Sequence, residues 1–314
     1  MGHNSFLFKI TSECNDFCSF CLEYKFIKSG RPPLSFEEFK KNYYYLKEKF
    51  RPNYAILTGG EPTLHPQFFE MLNFLKQQGE GFRFITNLLK FNQKDFLKNL
   101  KPIFSNFLNK KQENLSKIIA SINDLPEKNQ IAQKRFAGLT KALLMELPLM
   151  VTVVIYRDNL RDLPALSERL KKLFEKYLPD KSFHVEFRLI YIEGTSPKLL
   201  KLSLPTNFPK IKKAVEDSIQ ILDAPKTKVT LWNFPLCYLD DYKSAKNEAI
   251  AERQARRLVK IDKDNQLDKV GIREWEAYLK PHQECKKCQL KGLCSGIDEM
   301  YITEYGFPKL KPKL

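Results

Sequence analysis

No hydrophobic run in this 314-residue chain is long and unbroken enough to span a membrane. The most apolar window, Leu139 to Tyr156, is interrupted by Lys141, Glu146 and Pro148, so it reads as a helix end followed by a buried strand. Met1-Gly2-His3-Asn4-Ser5 has no basic segment leading into an apolar stretch, and a secretory leader is not expected. A tight basic run with interleaved aromatics, the signature of a nucleic-acid stacking surface, is also missing. KKNYYYLKEKF comes nearest, but Phe36, Phe39, Tyr43, Leu46 and Phe50 recur at helical spacing and predict a buried stripe. Cysteines are few and odd in number, seven, which speaks against a disulfide framework. The expected compartment is the cytoplasm, where thiols stay reduced and close-spaced cysteines bind metal.

The chain is rich in positive charge: 53 Lys and Arg against 37 Asp and Glu, a formal net charge of +16. That balance draws anionic partners over long range, whether an acidic peptide, a phosphorylated metabolite or nucleic acid, although no motif singles out the last.

Local signals alternate between strand and helix. Strands are expected at Phe6–Ile10, Tyr54–Leu57, Phe82–Ile85, Ile118–Ile122, Met150–Ile155 and Val185–Ile192. Between them, Ser35-Phe-Glu-Glu38 is a capping box opening a helix to about Phe50, and a helix from Pro66 closes on Gly79. Lys128–Met145 and Asp162–Tyr177 are the clearest helical patterns. Six strand–helix repeats demand a parallel sheet, wound by right-handed crossovers into a barrel or an open doubly wound sheet. After Ile192 the stretch to Lys210 reads as a linker. A helix at Lys210–Leu222, a strand at Lys228–Trp232 and a charged helix at Ser244–Lys260 are expected to follow. The final segment has too few apolar residues to fold without a metal centre.

The seven cysteines divide into two groups. Cys14, Cys18 and Cys21 form C-x3-C-x2-C, while Cys285, Cys288 and Cys294 form C-x2-C-x5-C, with Cys237 alone between them. Clustered thiolates at such spacings are soft ligands for iron–sulfur clusters or zinc. Three thiols can hold three irons of a cubane and leave the fourth open, whereas four thiols close a site. In a parallel α/β sheet the loops after the strands gather at one face. The triplet follows strand one, Gly59-Gly60-Glu61-Pro62 follows strand two, Thr86-Asn87 follows strand three, and Ser121, Asn123 and Asp124 follow strand four. These segments are therefore expected on one rim. Adjacent glycines let the backbone approach a ligand closely, and Glu61 offers a carboxylate to an amine.

Taken together, C14-x3-C18-x2-C21, with Phe20 before the last cysteine, and G59-G60-E61-P62 resemble the radical S-adenosylmethionine (SAM) enzymes. The resemblance spans about residues 6 to 192. It implies a partial (β/α)6 TIM-like barrel over residues 1–194, holding a [4Fe–4S] cluster whose open iron binds SAM. Reductive cleavage then yields methionine and a 5′-deoxyadenosyl radical that abstracts a substrate hydrogen. It further implies that Gly59, Gly60, Glu61 and Pro62 meet the SAM amino group and the Phe20 backbone meets the adenine. Ser121 and Arg135 are implied at the ribose or carboxylate. Thr86-Asn87-Leu88 resembles the family's TNG, placing Asn87 near SAM, but Leu88 stands where the family has glycine. An electron donor such as flavodoxin or ferredoxin is the implied partner.

The second cysteine group resembles the twitch and SPASM auxiliary-cluster domains of that superfamily. This implies a small C-terminal cysteine-rich domain over residues 226–314, after a linker and helix at 195–225. One auxiliary [4Fe–4S] cluster on Cys237, Cys285, Cys288 and Cys294 uses every remaining thiol. Zinc is the alternative for a closed four-thiol site, and His282 could replace Cys237 there. Gly296, Tyr301 and Gly306 match the domain's usual ending.

Arg157, Glu186, Arg188, Tyr191 and Glu193 lie on or just past strands five and six. Glu186 and Arg188 share one face of a strand whose other face is apolar, so they either contact substrate inside the barrel or form a salt bridge under a helix. His65 is expected to be a structural turn residue, and His184 a packed histidine. Three functions compete. The leading reading is a radical SAM enzyme that modifies a peptide or protein side chain. A second keeps the chemistry on an anionic small molecule or RNA. A third is a non-catalytic iron–sulfur or zinc protein that binds nucleic acid.

Overall fold

Side chains alternate between two faces along every strand, and the two faces of this sheet have opposite character. The computed structural model describes residues 5–50, 53–190, 207–232, 234–239, 258–261, 270–273, 279–280, 283–290, 294 and 297–298. Seven strands pair in parallel, each with the next: β1 (Ser5–Thr11), β2 (Tyr54–Gly59), β3 (Gly81–Thr86), β4 (Lys117–Ser121), β5 (Leu149–Ile155), β6 (Phe183–Leu189) and β7 (Thr227–Trp232). On the far side of β1, β8 (Leu258–Ile261) adds in parallel and β9 (Val270–Arg273) antiparallel, giving the order β7-β6-β5-β4-β3-β2-β1-β8-β9. Parallel neighbours require crossovers, which the helices Phe36–Phe50, Phe68–Gln77, Gln130–Leu144, Leu163–Tyr177 and Phe208–Leu222 supply.

The face that packs on these helices is apolar. Phe8 meets Phe39 at 4.8 Å, Phe84 meets Phe68 at 5.1 Å and Phe183 stacks on Phe174 at 3.9 Å. Each fully buried aromatic of this kind contributes about 1.5–3 kcal/mol through the surface it removes from water. The opposite, inner face is largely polar. Register sets Ser121, Thr152, Glu186 and Thr230 side by side across β4 to β7, with His184 and Arg188 before and after Glu186 along β6. Thr152, Glu186 and Thr230 are buried on this inner face, and among the described residues no helix stacks on them.

Local signals held where their physical cause is local. The Glu38 carboxylate accepts the Ser35 N–H at 3.0 Å while Ser35 Oγ accepts the Glu38 N–H at 3.3 Å, closing the capping box. Gly79 ends its helix at φ 73°. Phe39, Tyr43 and Leu46 are fully buried, the stripe expected of that helix. The sequence-based boundaries shift in three places. The sheet does not stop at six strands or at residue 194, because β7 pairs with β6 and the helix before it packs on Leu163–Tyr177. That helix begins at Phe208 rather than Lys210, since Asn207 Oδ1 caps the Lys210 N–H at 3.1 Å. Leu258–Lys260, expected as the end of a charged helix, is strand instead: an open edge of β1 offers backbone partners that helical propensity cannot. Residues 191–206 and 240–257, and with them Tyr191, Glu193 and most of the expected linker, lie outside the described residues, as do His282, Gly296, Tyr301 and Gly306. Among the described residues no helix is long and apolar enough to cross a membrane.

His184 accounts for one pH-dependent contribution to stability. Its Nε2 lies 2.8 Å from Thr230 Oγ1, and burial, followed by the charges of Lys228, Lys117, Arg83 and Arg188, pushes its pKa down to about 3. The folded state thus keeps this imidazole neutral, while the unfolded chain takes up a proton near pH 6.5. Stability should fall as pH drops below about 6.5, by up to about 1.4 kcal/mol per unit from this group. Urea unfolding of wild type and His184→Gln between pH 7.5 and 5 checks this, and the variant should show the shallower slope.

Candidate active site

The loop that leaves β1 carries Cys14, Cys18 and Cys21, all partly buried and none in a disulfide. Burial, with repulsion from the like charge of the Glu61 carboxylate, raises the Cys14 pKa to about 11. Burial and the neighbouring thiols raise Cys18 to about 12, and burial raises Cys21 to about 11. At these values the three groups are thiols at neutral pH, and only a positively charged centre would draw them into the thiolate form; soft donors at this spacing suit an iron–sulfur cluster with three protein ligands.

Three separate ties hold this loop. The Gly60 N–H donates to the Thr11 carbonyl at 2.8 Å and the Glu61 N–H to the Glu13 carbonyl at 2.7 Å. A Cβ on Gly59 would sit 2.2 Å from the Thr11 oxygen and one on Gly60 2.0 Å from the Glu13 oxygen, with Gly59 at φ 134°. The glycine pair is therefore required by the approach of β2 to the cysteine loop. Its role as a cradle for a ligand comes second. The next tie is Asn87, whose Nδ2 donates to Asn15 Oδ1 at 2.8 Å. The last is Arg135, almost fully buried, which pairs through Nη2 with Asp16 and lies 3.5 Å from Cys18 Sγ, while Nη1 stands 3.9 Å from Asp124. Its Nε is buried without a partner.

Glu61 is buried, and both carboxylate oxygens are engaged. Oε1 accepts from the Thr63 hydroxyl at 2.6 Å and its N–H at 3.2 Å, and Oε2 accepts from the Asn87 N–H at 2.7 Å. Burial raises its pKa and these bonds oppose the rise. Pro62 opens a short 3-10 turn under the same carboxylate. Leu88, in the place of glycine, adopts φ 64° and is fully buried. Its carbonyl lies so near Gly138 that a Cβ there would approach it to 2.4 Å. Packing against the helix Gln130–Leu144 thus compensates a conformation that costs about 1–2 kcal/mol for a residue other than glycine.

Beside Cys18 opens a cavity of about 430 Å³, within the range of cofactor pockets. Asp16, Phe17, Phe20, Asp124, Arg135 and Tyr156 are among the residues that line it. Phe20 packs on Tyr156 with ring centroids 4.6 Å apart, and the Tyr156 hydroxyl donates to Asp124. Ser121 ends β4, three residues before Asp124, and is not among the residues that line the cavity. Asp16 and Tyr156 were not foreseen from sequence. An acidic residue inside a loop of thiols is the one signal that pointed to Asp16.

The remaining thiols also converge. Cys237 follows β7, and its pKa is raised to about 12 by burial and then by Cys294, Cys288 and Cys285. The Leu236 N–H donates to Cys294 Sγ at 3.3 Å. Of the other expected residues, Arg157 sits exposed in a short turn after β5, outside this group. Glu186 and Arg188 pair with each other on the inner face. His65 is structural: its Nδ1 accepts the Gln67 N–H at 3.0 Å, so Nε2 donates to the Leu34 carbonyl at 2.9 Å.

A family model described as the Radical SAM superfamily matches residues 8–170. Among solved structures, Streptococcus suis SuiB bound to S-adenosylmethionine aligns at TM-score 0.61 and 10% identity, covering 96% of this chain and 74% of SuiB. SuiB bound to its precursor peptide SuiA aligns at 0.61 and 11%, covering 100% and 74%. The enzyme anSMEcpe with bound AdoMet and the Cp18Cys peptide aligns at 0.59 and 14%, covering 99% and 92%. At these identities the likeness is one of fold. No curated protein matches the chain.

Two substitutions test the ties. Gly60→Ala should destabilise the fold by about 3 kcal/mol or more, because the added methyl meets backbone that cannot yield, and the unfolding midpoint in urea reports it. Arg135→Met leaves Asp16 buried and unpaired and should cost about 3–5 kcal/mol, with Asp16→Asn in the same chain recovering most of it.

Proposed function

We propose, from the premise that this chain belongs to the radical SAM superfamily, that its reaction is the modification of a peptide or protein side chain. The observation that carries this reading is that nearly the whole chain, including the second thiol group, shares its fold with two enzymes seen with peptides, SuiB with SuiA and anSMEcpe with Cp18Cys. Members of the superfamily bind a [4Fe–4S] cluster and SAM, which together supply a 5′-deoxyadenosyl radical able to remove a substrate hydrogen.

The protein's own part is to hold, orient and exclude. Cys14, Cys18 and Cys21 hold the cluster, and the Asn15, Asp16 and Gly60 contacts keep their loop from moving when ligands change. SAM occupies the cavity beside Cys18. Phe20 and Tyr156, which line it, would shield the adenine and Arg135 would meet the carboxylate, while Ser121, Asn87 and the turn Gly59–Pro62, outside its lining, would contribute from the rim to the ribose and amino group. Glu61, already bound to Thr63 and Asn87, sets the shape of that turn. Cys237, Cys285, Cys288 and Cys294 hold one auxiliary [4Fe–4S] cluster, with zinc as the alternative. The positive net charge suits an acidic electron carrier of the flavodoxin or ferredoxin kind.

Formation of 5′-deoxyadenosine by anaerobically reconstituted protein with SAM and reductant is the test. Cell extract should stimulate it, and protease but not RNase should abolish the stimulation. Stimulation confined to the small-molecule fraction would overturn the peptide reading. Cys18→Ala should abolish 5′-deoxyadenosine formation entirely. Iron analysis separates the two centres: about eight irons per wild-type chain, and about four when Cys14, Cys18 and Cys21 are all replaced by Ala. About four irons with one zinc in wild type would assign the second site to zinc.

A further inference from the structure

The inner face of β4–β7 holds a polar constellation that neither cluster nor SAM binding uses. Arg188 donates through Nε to Glu186, and its guanidinium lies over the Trp232 ring at 5.4 Å. One edge and one face of the guanidinium are thereby fixed, and among the described residues its Nη1 and Nη2 groups have no acceptor. Glu186 is 3% exposed, whereas the Arg188 side chain is 29% exposed, so the carboxylate is buried and the guanidinium reaches toward the open side of the face. Next to Glu186 across the sheet stands Thr152, 3% exposed, whose Oγ1 is buried with no hydrogen-bond partner. A buried hydroxyl without a partner is destabilising, and a ligand that accepts from it relieves that penalty.

We propose that Arg188 and Thr152 form a recognition site for a carboxylate carried by the substrate, so that the peptide presents an acidic residue to the inner face. The proposal deepens the peptide-modification reading and rests on it. Arg188 supplies the two parallel N–H groups that match a carboxylate, Thr152 adds a third donor, and Glu186 with Trp232 orients the fork. The charge around the site selects the sign of the ligand. Lys228, Lys117 and Arg83 lie on the same face near His184, where they add to burial in keeping it neutral, and among the described residues Glu186 is the carboxylate of β4–β7 on this face. An ammonium-bearing residue would meet that excess of positive charge. A phosphate dianion would meet Glu186 at close range with two charges, whereas a carboxylate brings one.

The probes are capped pentapeptides that differ only at the centre, with glutamate, glutamine, lysine or leucine flanked by glycines. They are titrated calorimetrically into anaerobic, cluster-loaded full-length protein with SAM. Wild type should prefer the glutamate peptide to the glutamine peptide by at least about tenfold, and Arg188→Met should bring that ratio to about one. Arg188→Lys, which keeps the charge and loses the fork, should retain only a small part of it. Thr152→Val, nearly the same shape, should lower the ratio by about threefold while leaving the unfolding midpoint unchanged or higher, since it removes an unpartnered hydroxyl, and it carries the test if Arg188→Met does not fold. Equal binding of the glutamate and glutamine peptides by wild type, or an unchanged ratio in Arg188→Met, overturns the proposal. Tighter competition by inorganic phosphate than by acetate assigns the site to another anion and overturns it as well. Glutarate binding as tightly as the glutamate peptide overturns the peptide-borne source. Failure of the underlying reading looks different: cluster-loaded wild type would yield no protease-sensitive 5′-deoxyadenosine, whatever the pentapeptide ratios.

Discussion

Two backbone hydrogen bonds, from Gly60 to Thr11 and from Glu61 to Glu13, bring the exit of β2 against the loop that carries the first three cysteines. Most of the rim depends on that approach. Only residues without a Cβ permit it, because side chains at positions 59 and 60 would meet carbonyl oxygens at about 2 Å. Once the turn is seated, Glu61 reaches under it to the Asn87 N–H, and Asn87 in turn reaches Asn15. A closed circuit of hydrogen bonds then runs from β1 through β2 to β3, and the thiols ride on it. A site preorganised this way spends little free energy on ordering when its ligands bind.

Charge completes what the backbone begins. Arg135 is drawn out of water to pair with Asp16, close to Asp124. A buried pair of this kind adds little to net stability, because desolvation offsets most of the attraction. Its value here is positional: it fastens the cysteine loop to the helix Gln130–Leu144 and leaves one guanidinium nitrogen buried without a partner. Leu88 shows a similar balance of local strain against packing.

The two faces of the sheet divide the labour. Aromatic contacts with the helices hold the fold together on one side, while on the other a smaller apolar cluster of Leu7, Tyr54, Ile56, Ile85 and Leu115 covers β1–β3, and β4–β7 present mainly polar residues. Glu186 and Arg188 therefore lie inside, opposite Phe183 and Phe187, and not beneath a helix. The sequence left both placements open. Alternation along β6 separates the two sets but does not say which one the helix covers, and the stack of Phe183 on Phe174 decides it.

By itself the sequence determined the succession of strands and helices as far as β7, the caps at Ser35 and Gly79, and the grouping of the cysteines. Each of these depends on neighbours a few residues apart. It also carried the family, because the thiol spacing and the Gly59–Pro62 turn lie in short contiguous segments. Tertiary structure alone decided what is distant along the chain: that β8 pairs beside β1, that Arg135 answers Asp16, and that the glycine pair serves the cysteine loop. It also decided that the Leu236 N–H reaches Cys294, which ties the segment after β7 to the last cysteine. Such pairings are selected by the shape and burial of the whole sheet, and no local propensity encodes them.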